Sequence, residues 1–376
     1  MPYCDKRTIS FLLTTRCNMS CSYCYGSRNA DYRTLDWKFA KRAMDDYLGV
    51  GGLKEIRFFA DGEPTTEMEL LKQIFYYAKG LDSSIHAEVQ TNGIFNNETA
   101  EWLGSNLDSI HISVDLLPED SDKYRISPEG KPSSPLIEKS LSYLHNMTNR
   151  KAKVVLRATI TKYNIGKQIE GIKYYNQKYG IDIFWVDPIF PPVSEEEGKT
   201  YEEIDLMQFA RSFIEAHNFA WKNNIFYESN LTTNFDGQTD KACRACLPMP
   251  HLTVDGYLSA CEMATFGENA GKMSDMIYAK YDAQNDKIDT FDEKIMNIRR
   301  RTLINMTPSR DGKYDCRSCV AARHCAGYCL GETLNEKGSL FEIKTRVCPA
   351  LRYIYGEIGH LYEERFGKDG FPYKHS

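Results

Sequence analysis

The uneven placement of the cysteines constrains the fold of this 376-residue chain more than any other feature. One of the twelve lies at position 4, three lie between residues 17 and 24, none lies between 25 and 242, and eight lie between 243 and 348. The N-terminal apolar run is short and predicts a strand rather than a secretory signal. Because clustered cysteines in a reducing compartment are more often metal ligands than disulfides, we expect a cytoplasmic protein with a metal-rich C-terminal part.

Six segments between residues 8 and 190 are typical of β-strands, and the runs between them have helical periodicity. One helical run is PLIEKSLSYLHNM, in which Ile137, Leu141 and Leu144 share a face. Strands that alternate with helices predict an α/β fold with a parallel sheet, open or barrel-like, whose site lies at the carboxyl ends of the strands. The six strand segments are TISFLLT, EIRFFAD, AEVQTNG, SIHISVD, KVVLRATI and IDIFWVDP.

Composition excludes two classes of partner. The formal net charge is −5 and the pI is near 6.0, which disfavours a general nucleic-acid binder. No apolar stretch approaches the length of a membrane span, so we expect no membrane partner.

The first strand is followed by Cys17, Cys21 and Cys24 in a C-x3-C-x2-C spacing. Thiolates favour iron–sulfur clusters and zinc. Three cysteines on a four-iron cluster leave one iron open to a small molecule, and Tyr23 is placed to cover a flat ligand beside it. A zinc site or a structural cluster is the alternative for the triplet taken alone.

This motif resembles the signature of the radical S-adenosylmethionine (SAM) enzymes. The resemblance implies that SAM binds the open iron through its amino and carboxylate groups. It also implies that one electron from the cluster releases a 5′-deoxyadenosyl radical, which removes a hydrogen atom from the substrate. The expected fold is then a partial (β/α)6 barrel with a C-terminal cysteine-rich iron–sulfur domain.

Later strand ends resemble the SAM-contacting segments of the same family. In FFADGEPT, the residues Gly62, Glu63 and Pro64 match a Gly-Gly-Glu-Pro segment that receives the SAM amino group, although Asp61 replaces its first glycine. Taken singly, the candidates have ordinary alternatives: turn chemistry for the DGEP and TNG segments, a surface position for Arg125, and a core position for Phe184 or Trp185. The remaining candidates are Asn92 in a tight turn, Ser113 at a ribose-contacting position with Asp115 beside it, Arg125 for the SAM carboxylate, and Phe184 or Trp185 for the adenosine.

The C-terminal cysteines resemble the SPASM domain, which carries two auxiliary four-iron clusters. A pair of structural zinc sites is the alternative. The resemblance to anaerobic sulfatase-maturing enzymes implies a first cluster on Cys243, Cys246, Cys261 and Cys329, and a second on Cys316, Cys319, Cys325 and Cys348. With the SAM cluster this makes three 4Fe–4S clusters, and only Cys4 is left over. Because a fully ligated cluster has no open iron, its uses are structure and electron transfer, and we expect net oxidation of the substrate.

These patterns divide the chain into four parts. We predict the partial barrel over residues 1–200, a helical bridge over 201–242, the SPASM domain over 243–350, and a C-terminal helix and tail over 351–376.

Glu262 directly follows Cys261 and is the candidate catalytic base. In the sulfatase-maturing enzymes an aspartate at the matching position is the proposed base, so the resemblance implies a proton-accepting role for this glutamate. A base must lie within hydrogen-bond reach of the proton that it removes. A solvated or backbone-capping carboxylate is the alternative.

The leading hypothesis is a radical SAM oxidoreductase that modifies a peptide or protein side chain, as a formylglycine, thioether or crosslink. We expect a flavodoxin or ferredoxin as reductant. The first strand starts near residue 8, so we expect no fused leader-recognition domain, which leaves a separate recognition protein or leader-independent binding. The alternatives are dehydrogenation of a small molecule, such as a sugar or aminocyclitol, and a non-catalytic metal-binding scaffold.

Overall fold

The fold is given by a computed structural model of the chain. It describes residues 6–24, 26, 32–48, 53–59, 61–190, 202–235, 250–268, 270–289 and 313–366. Three of the cysteines discussed above, Cys4, Cys243 and Cys246, lie outside these residues. Among the described residues, no helix combines the length and the apolar character needed to cross a bilayer.

A run of parallel strands forms the first part of the sheet, and each strand pairs with the next one along the chain. The six predicted strands are all present. The seventh lies within the segment predicted as a helical bridge, so that segment adds a strand to the sheet. The strands are β1 (Lys6–Leu12), β2 (Leu53–Phe59), β3 (His86–Thr91), β4 (Ser109–Ser113), β5 (Lys153–Ile160), β6 (Ile183–Pro188) and β7 (Phe226–Glu228).

Helices connect these strands and cover one face of the sheet. Right-handed crossovers between strands in sequential order place every connecting helix on the same side. Strand β2 shows the result, since Ile56 and Phe58 are buried in the apolar core while Glu55 and Arg57 alternate with them. The face away from the helices is therefore polar. The helices are α1 (Trp37–Leu48), α2 (Met68–Leu81), α3 (Asn97–Asn106), α4 (Pro118–Ser121), α5 (Ser134–Asn146), α6 (Gln168–Tyr179) and α7 (Leu206–Lys222).

The cysteine-rich part continues the same sheet rather than forming a separate one. Strand β8 (His251–Leu252) runs parallel to β1, with Ser10 opposite His251. Strands β9 (Tyr257–Ser259), β10 (Ile277–Asp282) and β11 (Lys287–Asp289) then add in antiparallel order. Within the described residues the sheet has eleven strands, and β1 lies inside it rather than at an edge.

The described residues of the C-terminal part hold three further α-helices: α8 (Ala322–Cys325), α9 (Leu330–Lys337) and α10 (Cys348–Phe366). The last one packs against α7, where the rings of His217 and Tyr362 stack at 5.4 Å between centroids. Tyr362 also donates a hydrogen bond to Glu228 of β7 at 2.7 Å. This last helix begins at Cys348 itself.

Candidate active site

The loop that carries the three cysteines follows β1 and is fixed by backbone hydrogen bonds to neighbouring strand ends. The amide of Glu63 donates to the Arg16 carbonyl at 2.7 Å, and the amide of Gly62 donates to the Thr14 carbonyl at 3.0 Å. On the other side, the amide of Ser20 donates to the carbonyl of Ile126 at 2.8 Å. These backbone hydrogen bonds give the loop a defined shape.

The three thiols lie close enough together to influence one another. Neighbouring groups desolvate the Cys17 sulfur and raise its pKa to about 12, although the residue as a whole is exposed, and the charges of Glu63, Cys21 and Cys24 act in the same direction. Thiol ligands lose their protons when they bind a metal. Three soft donors on one loop fit an iron–sulfur cluster with one open iron.

Glu63 anchors this loop to the ends of β2 and β3. It is 1% exposed, and its Oε1 accepts hydrogen bonds from the amide and hydroxyl of Thr65 and from the hydroxyl of Thr91. Its Oε2 accepts from the amide of Asn92 at 2.7 Å. Burial raises the pKa of Glu63, and these hydrogen bonds oppose that rise. Its carboxylate is thus used to shape the loops around the three thiols.

Replacing Glu63 with glutamine is expected to destabilise the protein by about 1–3 kcal/mol, because an amide N–H₂ would face a hydrogen-bond donor in a buried place. The measurement is the free energy of unfolding in guanidinium chloride. The matched control is Glu69→Gln on α2, where the glutamate side chain is 97% exposed. That control is expected to stay within about 0.5 kcal/mol of the wild type. An equal effect of both substitutions would contradict the anchoring role.

Asn92 places a second polar group beside the thiols. Its Nδ2 donates to Asn18 Oδ1 at 2.7 Å and lies 3.9 Å from Cys17 Sγ. The turn that follows contains Gly93, whose φ of +83° suits glycine. The predicted Asn92 site therefore lies directly against the cysteine loop.

Tyr23, Asp115 and Arg125 form a hydrogen-bonded group next to the cysteines. The Tyr23 hydroxyl donates to Asp115 Oδ2 at 2.7 Å, and Arg125 Nη1 donates to the Tyr23 oxygen at 3.2 Å. Asp115 Oδ1 also accepts from the Thr159 amide at 3.1 Å. Three residues predicted separately from the sequence are thus brought together.

The pKa shifts of Asp115 and Tyr23 indicate which of the two side chains carries the shared proton. Burial raises the pKa of Asp115 to about 6, although the charge of Arg125 opposes the rise. Burial also holds the pKa of Tyr23 well above its usual value, so its hydroxyl keeps the proton that it donates. Within the part of the chain that the structure describes, Arg125 Nε is buried and has no hydrogen-bond partner. A buried cation with an unused donor fits the carboxylate of a bound ligand.

The predicted adenosine contacts fall on opposite faces of the sheet. Ser113 pairs with Arg157, and Arg157 pairs with Trp185, so these three side chains share the polar face. Phe184 lies on the other face, is 1% exposed and packs against Tyr227 in the core. Trp185 therefore faces the side on which Ser113 lies, and Phe184 does not.

The second predicted set of C-terminal cysteines is assembled at one place. Burial raises the pKa of Cys325 to about 12, and the charges of Cys348, Cys319 and Cys316 act in the same direction. All four lie around α8 and the start of α10. Cysteine thiols gathered around one site in this way fit a fully ligated cluster or a zinc ion.

Two members of the first predicted set meet at the start of α9. A Cβ built on Gly331 would lie 2.7 Å from Cys261 Sγ, so the Cys261 thiol packs directly on this helix turn. The N-cap of the same helix is Cys329, whose Sγ accepts from the Glu332 amide at 3.5 Å. The other two predicted ligands, Cys243 and Cys246, lie outside the described residues.

Glu262 follows the end of β9 and faces the polar side of β2. Its Oε2 lies 3.7 Å from Nη1 of Arg57, and its side chain is 38% exposed. Sequence reasoning missed Arg57. Arg57 lies between the apolar residues Ile56 and Phe58 in the sequence. Because side chains alternate along a strand, this pattern places Arg57 on the face away from the core.

Comparison with known proteins agrees with this geometry. The sequence profile of the Radical SAM superfamily matches residues 11–204, which is more than half of the chain. The chain therefore belongs to the Radical SAM superfamily. The resemblance noted in the sequence and the predicted fold class are confirmed.

Several curated relatives match this chain, and the following two match only part of it. The Fe-coproporphyrin III synthase of Methanosarcina barkeri is 29% identical over 164 residues, which cover 43% of this chain and 38% of the relative. The serine-type anaerobic sulfatase-maturating enzyme of Bacteroides thetaiotaomicron is 25% identical over 132 residues, or 31% of each chain. The matched regions thus span only about a third of the length of these relatives.

Solved structures match nearly all of the chain in fold. The enzyme anSMEcpe with bound AdoMet has a TM-score of 0.74 at 15% identity, covering 96% of this chain and 98% of that one. Streptococcus suis SuiB bound to the precursor peptide SuiA has a TM-score of 0.59 at 17% identity, covering 91% and 76%. At these identities the likeness establishes the fold.

Proposed function

We propose that this Radical SAM enzyme oxidatively modifies a side chain of a peptide or protein. The observation that carries the proposal is the complete set of four cysteines around Cys325, which is separate from the three-cysteine loop. The likeness of the fold to anSMEcpe and to peptide-bound SuiB supports a peptide substrate. Formylglycine, thioether and crosslink formation all remain within this proposal.

The residues of the chain have separate parts in this proposal. Cys17, Cys21 and Cys24 hold the SAM cluster, and the two C-terminal sets hold auxiliary clusters. The bound groups supply a 5′-deoxyadenosyl radical for hydrogen abstraction and an electron acceptor for the substrate radical. Arg125 binds the SAM carboxylate, while Tyr23 is held in place by Asp115.

Other residues shape the site or act on the substrate. Gly62, Glu63, Pro64 and Asn92 shape the amino-group site, Ser113 lies at the ribose, and Trp185 faces the same side of the sheet. Glu262 takes a proton from the substrate as it is oxidised.

Dehydrogenation of a small molecule is the second candidate. The relative from Methanosarcina barkeri is named for a porphyrin product, which favours this alternative. The eight C-terminal cysteines favour the peptide proposal, because by resemblance they are enough for two auxiliary clusters. A sugar or aminocyclitol alcohol is the expected substrate class under this alternative.

The test begins with anaerobically reconstituted protein, dithionite and SAM. Release of 5′-deoxyadenosine is expected, and its absence from a protein with full iron content would favour the non-catalytic scaffold. The gene is then co-expressed with each short open reading frame found beside it, and the peptides are analysed by mass spectrometry. A peptide that has lost two hydrogen atoms, or whose cysteine has become an aldehyde with loss of its sulfur, supports the proposal. Oxidation of a small molecule with all peptides unchanged would overturn it.

The partners and location follow from the same proposal. A flavodoxin or ferredoxin delivers the electron for SAM cleavage, and the protein works in the cytoplasm. A separate recognition protein presents the leader of the substrate peptide, or the enzyme binds its substrate without one. Purification in air is expected to lower the activity because the open iron is exposed to oxygen.

A further inference from the structure

A row of charged side chains crosses the polar face of the sheet. Arg57 of β2 donates from Nε to Glu88 of β3, and Glu88 Oε2 lies 3.5 Å from Nε2 of His111 on β4. The side chains of Arg57, Glu88 and His111 are each less than 20% exposed. Register pairs Arg57 directly with Glu88, so their contact is built into the sheet. We call these three residues the charged row.

At Arg57, the charged row contacts Glu262, the candidate base. Arg57 Nη1 lies 3.7 Å from Glu262 Oε2, and Glu262 directly follows the cluster ligand proposed at position 261. Glu262 comes from the C-terminal part and Arg57 from the barrel. Their ion pair is thus a link between the two parts at the polar face.

The planar guanidinium of Arg57 fixes the direction in which the ion pair with Glu262 points. Arginine is planar and presents several N–H groups in a rigid fork, so anchoring Nε to Glu88 also fixes where the Nη atoms point. Burial acts to lower the pKa of Arg57, but the charges of Glu88, Glu262 and Glu55 outweigh it and raise the pKa. Arg57 is therefore a permanent, oriented cation. Glu262, by contrast, is a partly exposed side chain, and this ion pair draws its carboxylate toward Arg57.

We propose that Arg57 is a positioning residue that holds the Glu262 carboxylate toward the polar face of the barrel. This inference rests on the proposed function, in which Glu262 accepts a proton from the substrate. Arg57 itself needs no contact with the substrate. Glu88 takes part in this positioning because its hydrogen bond with Arg57 Nε fixes the orientation of the guanidinium.

A metal site is the competing interpretation of this region. Glu55, His86 and Glu88 offer ligand atoms that all lie within 4.8 Å of one another. However, Thr8 donates to Glu55 at 2.8 Å and Arg57 donates to Glu88. A guanidinium beside these atoms repels a metal cation, so the charged row is an ion-pair network.

The first experiment measures the position of Glu262 without any substrate. Carbodiimide and an amine label exposed carboxylates, and mass spectrometry after proteolysis gives the labelling rate of Glu262. Arg57→Gln keeps a donor for Glu88 but removes the charge, and we expect it to raise the labelling rate roughly threefold. Arg57→Lys keeps the charge and is expected to restore most of the protection. Arg42→Met, which removes an ion pair with Asp46 on α1, is the matched control and is expected to change nothing at Glu262.

The second experiment measures coupling through the reduction potentials of the reconstituted clusters. Glu262→Gln removes a negative charge near Cys261 and is expected to raise the potential of the nearby cluster. If Arg57 sets the position of that charge, Glu262→Gln shifts the reduction potential of the cluster by different amounts in the wild-type and Arg57→Gln backgrounds. Iron content and thermal unfolding are measured for each variant, and Arg57→Lys serves where Arg57→Gln does not fold.

The outcomes separate this inference from the proposed function. Unchanged labelling of Glu262 in Arg57→Gln, or additive potential shifts, would overturn the positioning role even if SAM is cleaved. A wild-type protein that holds its clusters but releases no 5′-deoxyadenosine would instead overturn the proposed function. In that case, increased labelling in Arg57→Gln would still establish the ion pair but not its use in catalysis.

Discussion

Replacing Cys17, Cys21 and Cys24 together with alanine is expected to abolish SAM cleavage and to lower the iron content from about twelve atoms per chain to about eight. The three thiols are the only ligands proposed for the cluster with the open iron, so their loss leaves nothing to hold it. The C-terminal cysteines are proposed to ligate other clusters, so they keep their own iron. The measurement is iron, sulfide and zinc per chain in anaerobically reconstituted protein, together with 5′-deoxyadenosine release.

The control for this prediction removes a different cluster. Cys316→Ala with Cys319→Ala breaks the set around Cys325 and is expected to remove about four irons while SAM cleavage persists. A wild-type content of about four irons, with zinc in the remainder, would make the C-terminal part a structural clip. The C-terminal part could then not accept an electron from the substrate radical, and non-oxidative chemistry would become the better proposal.

Replacing Gly62 with alanine is expected to destabilise the protein by about 3 kcal/mol or more and to weaken SAM binding strongly. A Cβ at this position would lie 2.0 Å from the carbonyl oxygen of Arg16 and 2.7 Å from the carbonyl carbon of Thr15. These are backbone atoms of the loop that carries the cysteines, so a change of side-chain rotamer gives no relief. The loop itself must move away from the end of β2.

The test compares Gly62→Ala with Gly80→Ala. Gly80 lies in α2, and a Cβ there would meet nothing within 4 Å, so its substitution is expected to stabilise the helix by about 0.5–1 kcal/mol. The measurements are thermal unfolding of the reconstituted protein and equilibrium binding of SAM. Wild-type SAM affinity in Gly62→Ala would show that the close approach of the two loops is not needed.

The strands of the barrel were predictable because hydrophobic pattern marks them individually. The seventh strand, Phe226–Glu228, was not predicted, since three residues carry no readable periodicity. The pairing of β8 with β1 could not be predicted from the sequence either. It joins segments that are far apart in the chain, and a two-residue strand gives no signal of its partner.

The candidate site was predictable where a spacing or a strand end marks a residue. Tyr23, Asp115 and Arg125 were each identified, but their mutual hydrogen bonds depend on how the loops after β1 and β4 meet. The choice between Phe184 and Trp185 needed the register, because only pairing with Arg157 shows which of the two faces the polar side. Arg57 was missed since its importance comes from Glu262, which lies in another part of the chain.

The position of β1 inside the sheet also bears on how the chain folds during its synthesis. One neighbour of β1 is β2, which leaves the ribosome soon after it, but the other is β8 at residues 251–252. Until those residues emerge, the first strand presents an unpaired edge that can join another nascent chain. Non-local pairing of this kind slows folding and exposes the chain to aggregation. Expression at low temperature, with slow translation and added chaperones, is therefore expected to increase the yield of monomeric protein that can then be loaded with iron.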